Sequence, residues 1–339
     1  MSGFILALIQ EFNNLKKSTL YFVLVGKKTS SVLVYGYFND LLPYFGLAKN
    51  LTREQYEQMI RHLVSEKKII IENGYLKRQN KNPISLKTTY PALKGYPYSI
   101  DDEGNWHLFL FGLQVFSELS FANRDYQVLS DQFLSGQKIK FWLKVVGKEQ
   151  WPKAQTELQQ IMEKLPEETS QRLSLFWHGH QVNGQINAQI YAAQFSGKLQ
   201  YKNDLHAFFT ILKVGPYPIW QQLLVYPATS VEQTGTLVAN GASFSEILSQ
   251  RPALKPSTLR DHLLELAIFN PAEFPFPHFY ENKTLLQVEK LALENLRDWR
   301  FKEIFPENTA DFLTYRLYQI QQIAIEKTKK VGEAPKINE

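Results

Sequence analysis

Two places in this 339-residue chain gather cationic and hydroxyl side chains at spacings that suit phosphate contact. One is Arg251, Lys255, Ser257, Thr258 and Arg260; the other is Lys27 and Lys28. Lysine and arginine neutralise phosphates, and small hydroxyls donate to their oxygens, so such groups hold a nucleic-acid backbone. These seven residues form the candidate DNA-binding set. Lys27 and Lys28 lie in Gly26-Lys27-Lys28-Thr29-Ser30, which superficially looks like a phosphate-binding loop. That motif requires glycine five residues before its second glycine and Ser or Thr directly after the lysine. Those positions hold Tyr21 and Lys28, so no ATP site is expected.

Other chemistry has less support. His178-Gly179-His180 is the one closely spaced histidine pair. A helical metal pair needs i, i+4 spacing, and a strand pair needs a third ligand. Neither is visible, and Phe176 and Trp177 suggest a helix end packed into a core. Asp101-Asp102-Glu103 lacks the alternating ligands of a calcium loop and reads as solvated surface. The absence of cysteine excludes thiolate zinc sites, iron–sulfur centres and a cysteine nucleophile. No serine nucleophile elbow and no dinucleotide fingerprint occur. The expectation is a non-enzyme with no catalytic residues, no metal and no cofactor.

The elements that must position the cationic groups follow from periodicity and caps. Phe4, Leu8, Phe12 and Leu15 recur at helical spacing. Thr52 with Gln55 forms a capping box ahead of the stripe Tyr56, Ile60, Leu63, Val64. Glu72-Asn73-Gly74, between two β-prone runs, signals a hairpin. Helices followed by a hairpin give a winged-helix-like module over residues 1–79, or equally a small α+β module without a nucleic-acid role. Residues 80–105 read as a Pro, Gly and Tyr-rich linker. Residues 106–226 read as a helical domain for protein contact. Trp151-Pro152 opens a helix there, and Gly184, Gly197 and Gly215 are expected as breaks. Asn183-Gly184 offers a weaker hairpin alternative.

From residue 227 to 326 a helix-turn-helix domain of three helices, followed by C-terminal helices, is expected. Thr229 with Glu232 and Ser243 with Glu246 are further capping boxes, and Gly241 follows the first helix. Pro256 fits the first turn of the third helix, whose buried face is Leu259, Leu263, Leu266 and Ala267. These lengths describe a helix-turn-helix. With those leucines inward, Ser257, Asp261, Leu264 and Glu265 fall on the opposite face, where two carboxylates would repel phosphate. Residues 327–339 read as a disordered tail. The fold class is therefore mainly α, with a winged-helix-like module, a central helical domain and a C-terminal helix-turn-helix.

The string Gly241-Ala242-Ser243-Phe244-Ser245-Glu246-Ile247 … Leu254-Lys255-Pro256-Ser257-Thr258-Leu259-Arg260-Asp261-His262-Leu263 resembles the helix-turn-helix domain at the C-termini of many RecQ-type helicases. The chain as a whole resembles the YpbB-like proteins of Firmicutes. The resemblance extends through Leu296-Arg297 to Tyr315-Arg316-Leu317 and is looser over the first 80 residues. It implies a DNA-associated accessory of a RecQ-type DNA helicase, without a motor of its own. The partners expected are that helicase and DNA. A protein-interaction scaffold and a transcriptional regulator are the alternatives. Net charge +5 and a pI near 9.0 permit phosphate contact without requiring it. No apolar run of about 18 residues occurs, so no membrane span is expected, and a cytoplasmic location fits.

Overall fold

The structure is a computed structural model that describes residues 1–79, 85–96, 102–129, 133–184, 195–226, 228–291, 296–307 and 310–332. The architecture is mainly helical with one small sheet. The chain divides into two compact units: Met1–Lys17 with Leu51–Tyr226, and Ser18–Asn50 with Pro227–Glu339.

The first unit begins with α1 (Ser2–Phe12) and strand β1 (Leu15–Lys16). It resumes with α4 (Arg53–Ser65), β2 (Ile69–Glu72), β3 (Tyr75–Arg78) and α5 (Leu86–Thr89). The three strands are antiparallel in the order β1-β3-β2, with Leu15 opposite Leu76 and Ile69 opposite Arg78. Asn73 (φ 51°) and Gly74 (φ 79°) form the expected hairpin turn, which needs positive φ at both central residues. The Thr52 capping box is present, with each side chain bonded to the other's backbone N–H. Tyr56, Ile60 and Leu63 face the core, and the Tyr56 hydroxyl donates to the Lys17 carbonyl at 2.9 Å.

The rest of this unit is α6 (Asp102–Ser120), α7 (Phe133–Val146), α8 (Trp151–Lys164), α9 (Glu167–Ser174), α10 (Phe195–Val214) and α11 (Pro218–Gln221). Helix α6 is apolar around most of its circumference and accordingly lies at the centre. Its Trp106 and Phe109 meet Phe208 and Trp220 in one aromatic cluster. Two of the buried indoles find backbone acceptors, Trp142 Nε1 donating to Ile219 at 2.8 Å and Trp220 Nε1 to Ala154 at 2.8 Å, whereas the buried Trp106 Nε1 has no acceptor among the described residues. Gly112 permits the close packing, because a Cβ there would lie 2.6 Å from Leu223 Cδ2.

Three expectations change here. Asp102 is buried at the start of α6, and Lys213 Nζ lies 3.4 Å from its carboxylate, so this residue of the acidic run is not solvated surface. The described parts of the proposed linker are anchored: Leu86 and Leu93 are buried, and the backbone N–H groups of Ala92 and Lys94 donate to Asn203 and His206. Gly197 lies inside α10 rather than between helices, while Gly215 does end it. Around Asn183-Gly184 an isolated bridge pairs Gly179 with Val182, and the segment after Gly184 lies outside the described residues.

The second unit contains most of α2 (Lys17–Val25), then α3 (Ser30–Phe38), α12 (Ser230–Ala239), α13 (Phe244–Gln250), α14 (Pro256–Phe269), α15 (Asn282–Val288), α16 (Phe301–Ile304) and α17 (Phe312–Gly332). Both C-terminal capping boxes are formed. Helix α14 is the hub, packed by α12, α13, α3 and α17. The contiguous module expected over residues 1–79 is thus split. Helix α3 buries Val32, Leu33, Val34, Tyr37 and Phe38, too wide an apolar surface for one partner. Helix α17 continues to Gly332, past the expected start of the tail. Lys327 Nζ is bound to the Tyr37 carbonyl at 2.6 Å and to Asp40 at 2.8 Å. Residues 333–339 lie outside the described residues.

Candidate nucleic-acid interface

Each of the seven candidate residues has a distinct surrounding. Lys255, the residue before α14, is exposed, as are Ser257 and Arg260 in its first turns, and Thr258 is half-buried. The Arg260 guanidinium lies 5.8 Å from the Phe244 ring, which steadies it while leaving it at the surface. Arg251 is different. Its guanidinium donates to the Ser230 carbonyl and hydroxyl at 2.8 Å each, to Gln233 Oε1 at 3.1 Å and to the Thr234 hydroxyl. Those bonds tie the turn before α14 to α12 and occupy the donors a phosphate would need.

Thr234 is fully buried, and its hydroxyl lies 2.9 Å from His262 Nδ1. Burial holds the His262 pKa below its ordinary value, with the Arg251 and Lys28 charges acting in the same direction and Glu265 and Asp261 opposing. Arg251, Thr234 and His262 thus form one polar chain through the junction of α12 and α14.

Lys28 lies beside α14, with Nζ 3.1 Å from Glu265 Oε1. A cavity of about 160 Å³ there is lined by Lys28, Ser30, Thr258, Asp261, His262 and Glu265, among others. The structure therefore brings Lys28 together with Thr258. Leu264 is 2 % exposed and Glu265 8 %. The expectation that both lie on an outward face of α14 is corrected: α3 covers that face, and the Glu265 carboxylate is matched by Lys28 rather than left to repel phosphate. Lys27 is exposed, and its Nζ lies 4.3 Å from the Phe22 ring. Gly26 (φ 75°) ends α2 where a Cβ would meet Gly46 Cα at 2.9 Å, so this glycine serves close backbone packing.

The outer face of α4 forms a further polar surface that no sequence motif marks. Opposite the buried stripe, Gln58, Arg61, His62 and Ser65 are exposed, followed by Lys67 and Lys68. Lys68 Nζ is 2.9 Å from Glu66, and His62 Nε2 is 3.4 Å from the same carboxylate. Arg61 and Lys67 make no ion pair among the described residues. The hairpin tip adds Ile71, 42 % exposed, beside the Lys77–Glu72 pair. The 3.6-residue period that marks Tyr56, Ile60 and Leu63 as buried also marks Arg61 and Ser65 as exposed.

The two histidines have separate partners. His178 Nδ1 lies 2.9 Å from the Phe176 carbonyl, whereas His180 stacks on Phe121 and lies 3.3 Å from the Glu118 carboxylate. Among the described residues no cluster of three His, Cys, Asp or Glu could hold a metal ion, and no helix is long and apolar enough to cross a membrane.

No curated protein and no solved structure matches the chain. A family match does exist, and it lies at the opposite end from the helix-turn-helix resemblance drawn on residues 241–263. Residues 3–92 match the RQC domain, the C-terminal domain of RecQ helicases, which gives this N-terminal segment, α4 and its hairpin included, a RecQ-related and DNA-associated character.

Proposed function

We propose that this protein is a non-catalytic accessory of a RecQ-type DNA helicase, akin to the YpbB-like proteins, that contacts DNA weakly. The RQC match over residues 3–92 carries the reading. The order β1-β3-β2, with α4 directly before the β2–β3 hairpin, is the arrangement of a winged helix and supports it. In this reading the outer face of α4 meets DNA, with Arg61 and Lys67 on phosphates and Gln58 and Ser65 towards base edges or sugar. Helix α14 contributes at its start only, through Lys255, Ser257 and Arg260, because α3 covers its outward face farther along.

The test is a fluorescence-anisotropy titration of duplex, forked and single-stranded DNA at several salt concentrations. Each phosphate contact adds about −0.9 to the log–log salt slope on duplex DNA. Arg61→Ala and Lys67→Ala should each make the slope shallower by about one unit and weaken all sequences alike. Arg260→Ala should do the same if the start of α14 takes part. Undetectable binding at low salt on all three DNAs overturns the DNA-contact half of the reading. The helicase half is tested by pull-down of the RecQ-type helicase from the native host after nuclease treatment, and its absence overturns that half.

A second reading has its own observation. The burial of Leu264 and Glu265 makes α14 the packing hub of its unit, as in a helix-turn-helix used as a scaffold rather than a reader of DNA. It predicts that Arg260→Ala leaves the salt slope untouched.

A further inference from the structure

Helix α7 carries a surface that the DNA-associated reading does not use. Its inner side buries Ile139, Trp142 and Val146 in the core of the first unit. Its outer side leaves Leu134 77 % exposed, Phe141 69 % and Val145 52 %. At about 100° per residue these three fall within roughly 40° of one another, an apolar line along the helix whose turn between Leu134 and Phe141 carries Gln137 and Lys138. Lys138 and Lys144 flank that line on its two sides, Lys140 lies beyond Lys144, and Lys148 follows at the C-terminal end. The helix contains no acidic residue, and Lys138, Lys140 and Lys144 make no ion pair among the described residues. The acids flanking the helix along the chain are Asp131, two residues before it and outside the described residues, and Glu149, whose carboxylate folds back over Gly147.

We propose that this face of α7 docks an acidic amphipathic segment of another protein. Apolar side chains of the segment would lie on Leu134, Phe141 and Val145, and its carboxylates would meet the flanking lysines. An apolar centre rimmed by charge of one sign is the anatomy of a protein interface, and the rim selects a partner of opposite sign. The composition disfavours two other occupants. Single-stranded nucleic acid is held by several aromatic platforms, and this face offers Phe141 alone beside two aliphatic chains. A membrane-surface helix sinks a wide apolar face into lipid, whereas the wide apolar face of α7 is already turned into the protein core.

The test uses the full-length chain and an immobilised library of 15-residue peptides graded in acidic and apolar content. The expected result is binding confined to peptides that combine Asp or Glu with Leu, Ile or Phe. That binding should weaken at least tenfold in Phe141→Ala and in the Lys140→Glu/Lys144→Glu double variant, and decline as salt rises. All replaced side chains are at the surface, so melting temperatures should stay within about 2 °C of the parent's. Peptide selection without acidic bias, no library binding at all, or unchanged affinity in both variants overturns the proposal. So does binding of oligo-dT or of phosphatidylglycerol vesicles that is lost in these variants while peptide binding is not. Because Arg61 and Lys67 are untouched, the DNA salt slope of the variants reports separately on the reading above.

Discussion

The Lys28 ammonium sits 3.1 Å from the Glu265 carboxylate and joins the loop before α3 to the middle of α14. The two partners differ in exposure: the Glu265 side chain is 10 % exposed and that of Lys28 53 %. Removing the lysine takes an ammonium away from a nearly buried carboxylate, which costs more than the pair itself contributes. Solvent around Lys28 screens part of this, so Lys28→Ala should cost about 1 kcal/mol. The Lys28→Ala/Glu265→Gln double variant should recover part of that loss. Urea unfolding of the four proteins of the cycle measures it. Additive single losses would show that the pair does not couple. Glu265→Gln should leave DNA affinity unchanged, because that carboxylate faces α3 and Lys28.

Arg251 should behave as a structural residue. Four hydrogen bonds lost from a half-buried guanidinium, with the buried Thr234 hydroxyl left short of a donor, should cost about 1–3 kcal/mol in Arg251→Ala. The thermal melt should fall and the DNA salt slope should not move. A shallower slope with an unchanged melt would instead make Arg251 a phosphate contact.

Acid should destabilise the first unit through His206. Burial, then the charges of Lys202, Lys94 and Lys213, lower its pKa to about 3, and its Nδ1 accepts the Lys94 backbone N–H at 2.9 Å. In the unfolded chain the same imidazole takes up a proton near pH 6.5. The contribution is therefore complete above about pH 6.5. Between there and about pH 3 it falls by roughly 1.4 kcal/mol per pH unit, because the unfolded chain binds the extra proton. His206→Gln should flatten the pH dependence of unfolding over that window. An unchanged profile would mean that His206 is already protonated in the folded protein.

Purified protein should neither hydrolyse ATP nor retain zinc in stoichiometric amount. The first expectation rests on the loop at Gly26, where backbone packing against Gly46 explains the glycine. The second rests on the separate partners of His178 and His180. Metal analysis giving one zinc per chain, lost in His178→Ala or His180→Ala, would refute it.

Loss of a helix cap offers a local check. In Ser243→Ala the Glu246 backbone N–H loses its acceptor at the start of α13, which should cost about 1 kcal/mol. A change below a few tenths, read by urea unfolding, would show that this cap is frayed in solution.

The sequence by itself determined what depends on near neighbours. Three capping boxes, the Asn73-Gly74 turn and most of the two apolar stripes are set by interactions within a few residues, although Val64 of the first stripe is exposed and Leu266 of the second only half-buried. The cationic groups were legible as types, and their work was not. Arg251 reads as a phosphate contact until the fold supplies Ser230, Gln233 and Thr234 as acceptors. Glu265 reads as an outward charge until Lys28, remote in sequence, arrives beside it. Only the tertiary structure decided that residues Ser18–Asn50 fold with the C-terminal helices, and that Asp102 and Leu93 are buried. A periodicity states which side of a helix is apolar. A helix such as α3, apolar over most of its surface, or α14, whose buried side takes in His262 and Glu265, leaves open how many partners cover it and from where in the chain they come, and packing alone answers that.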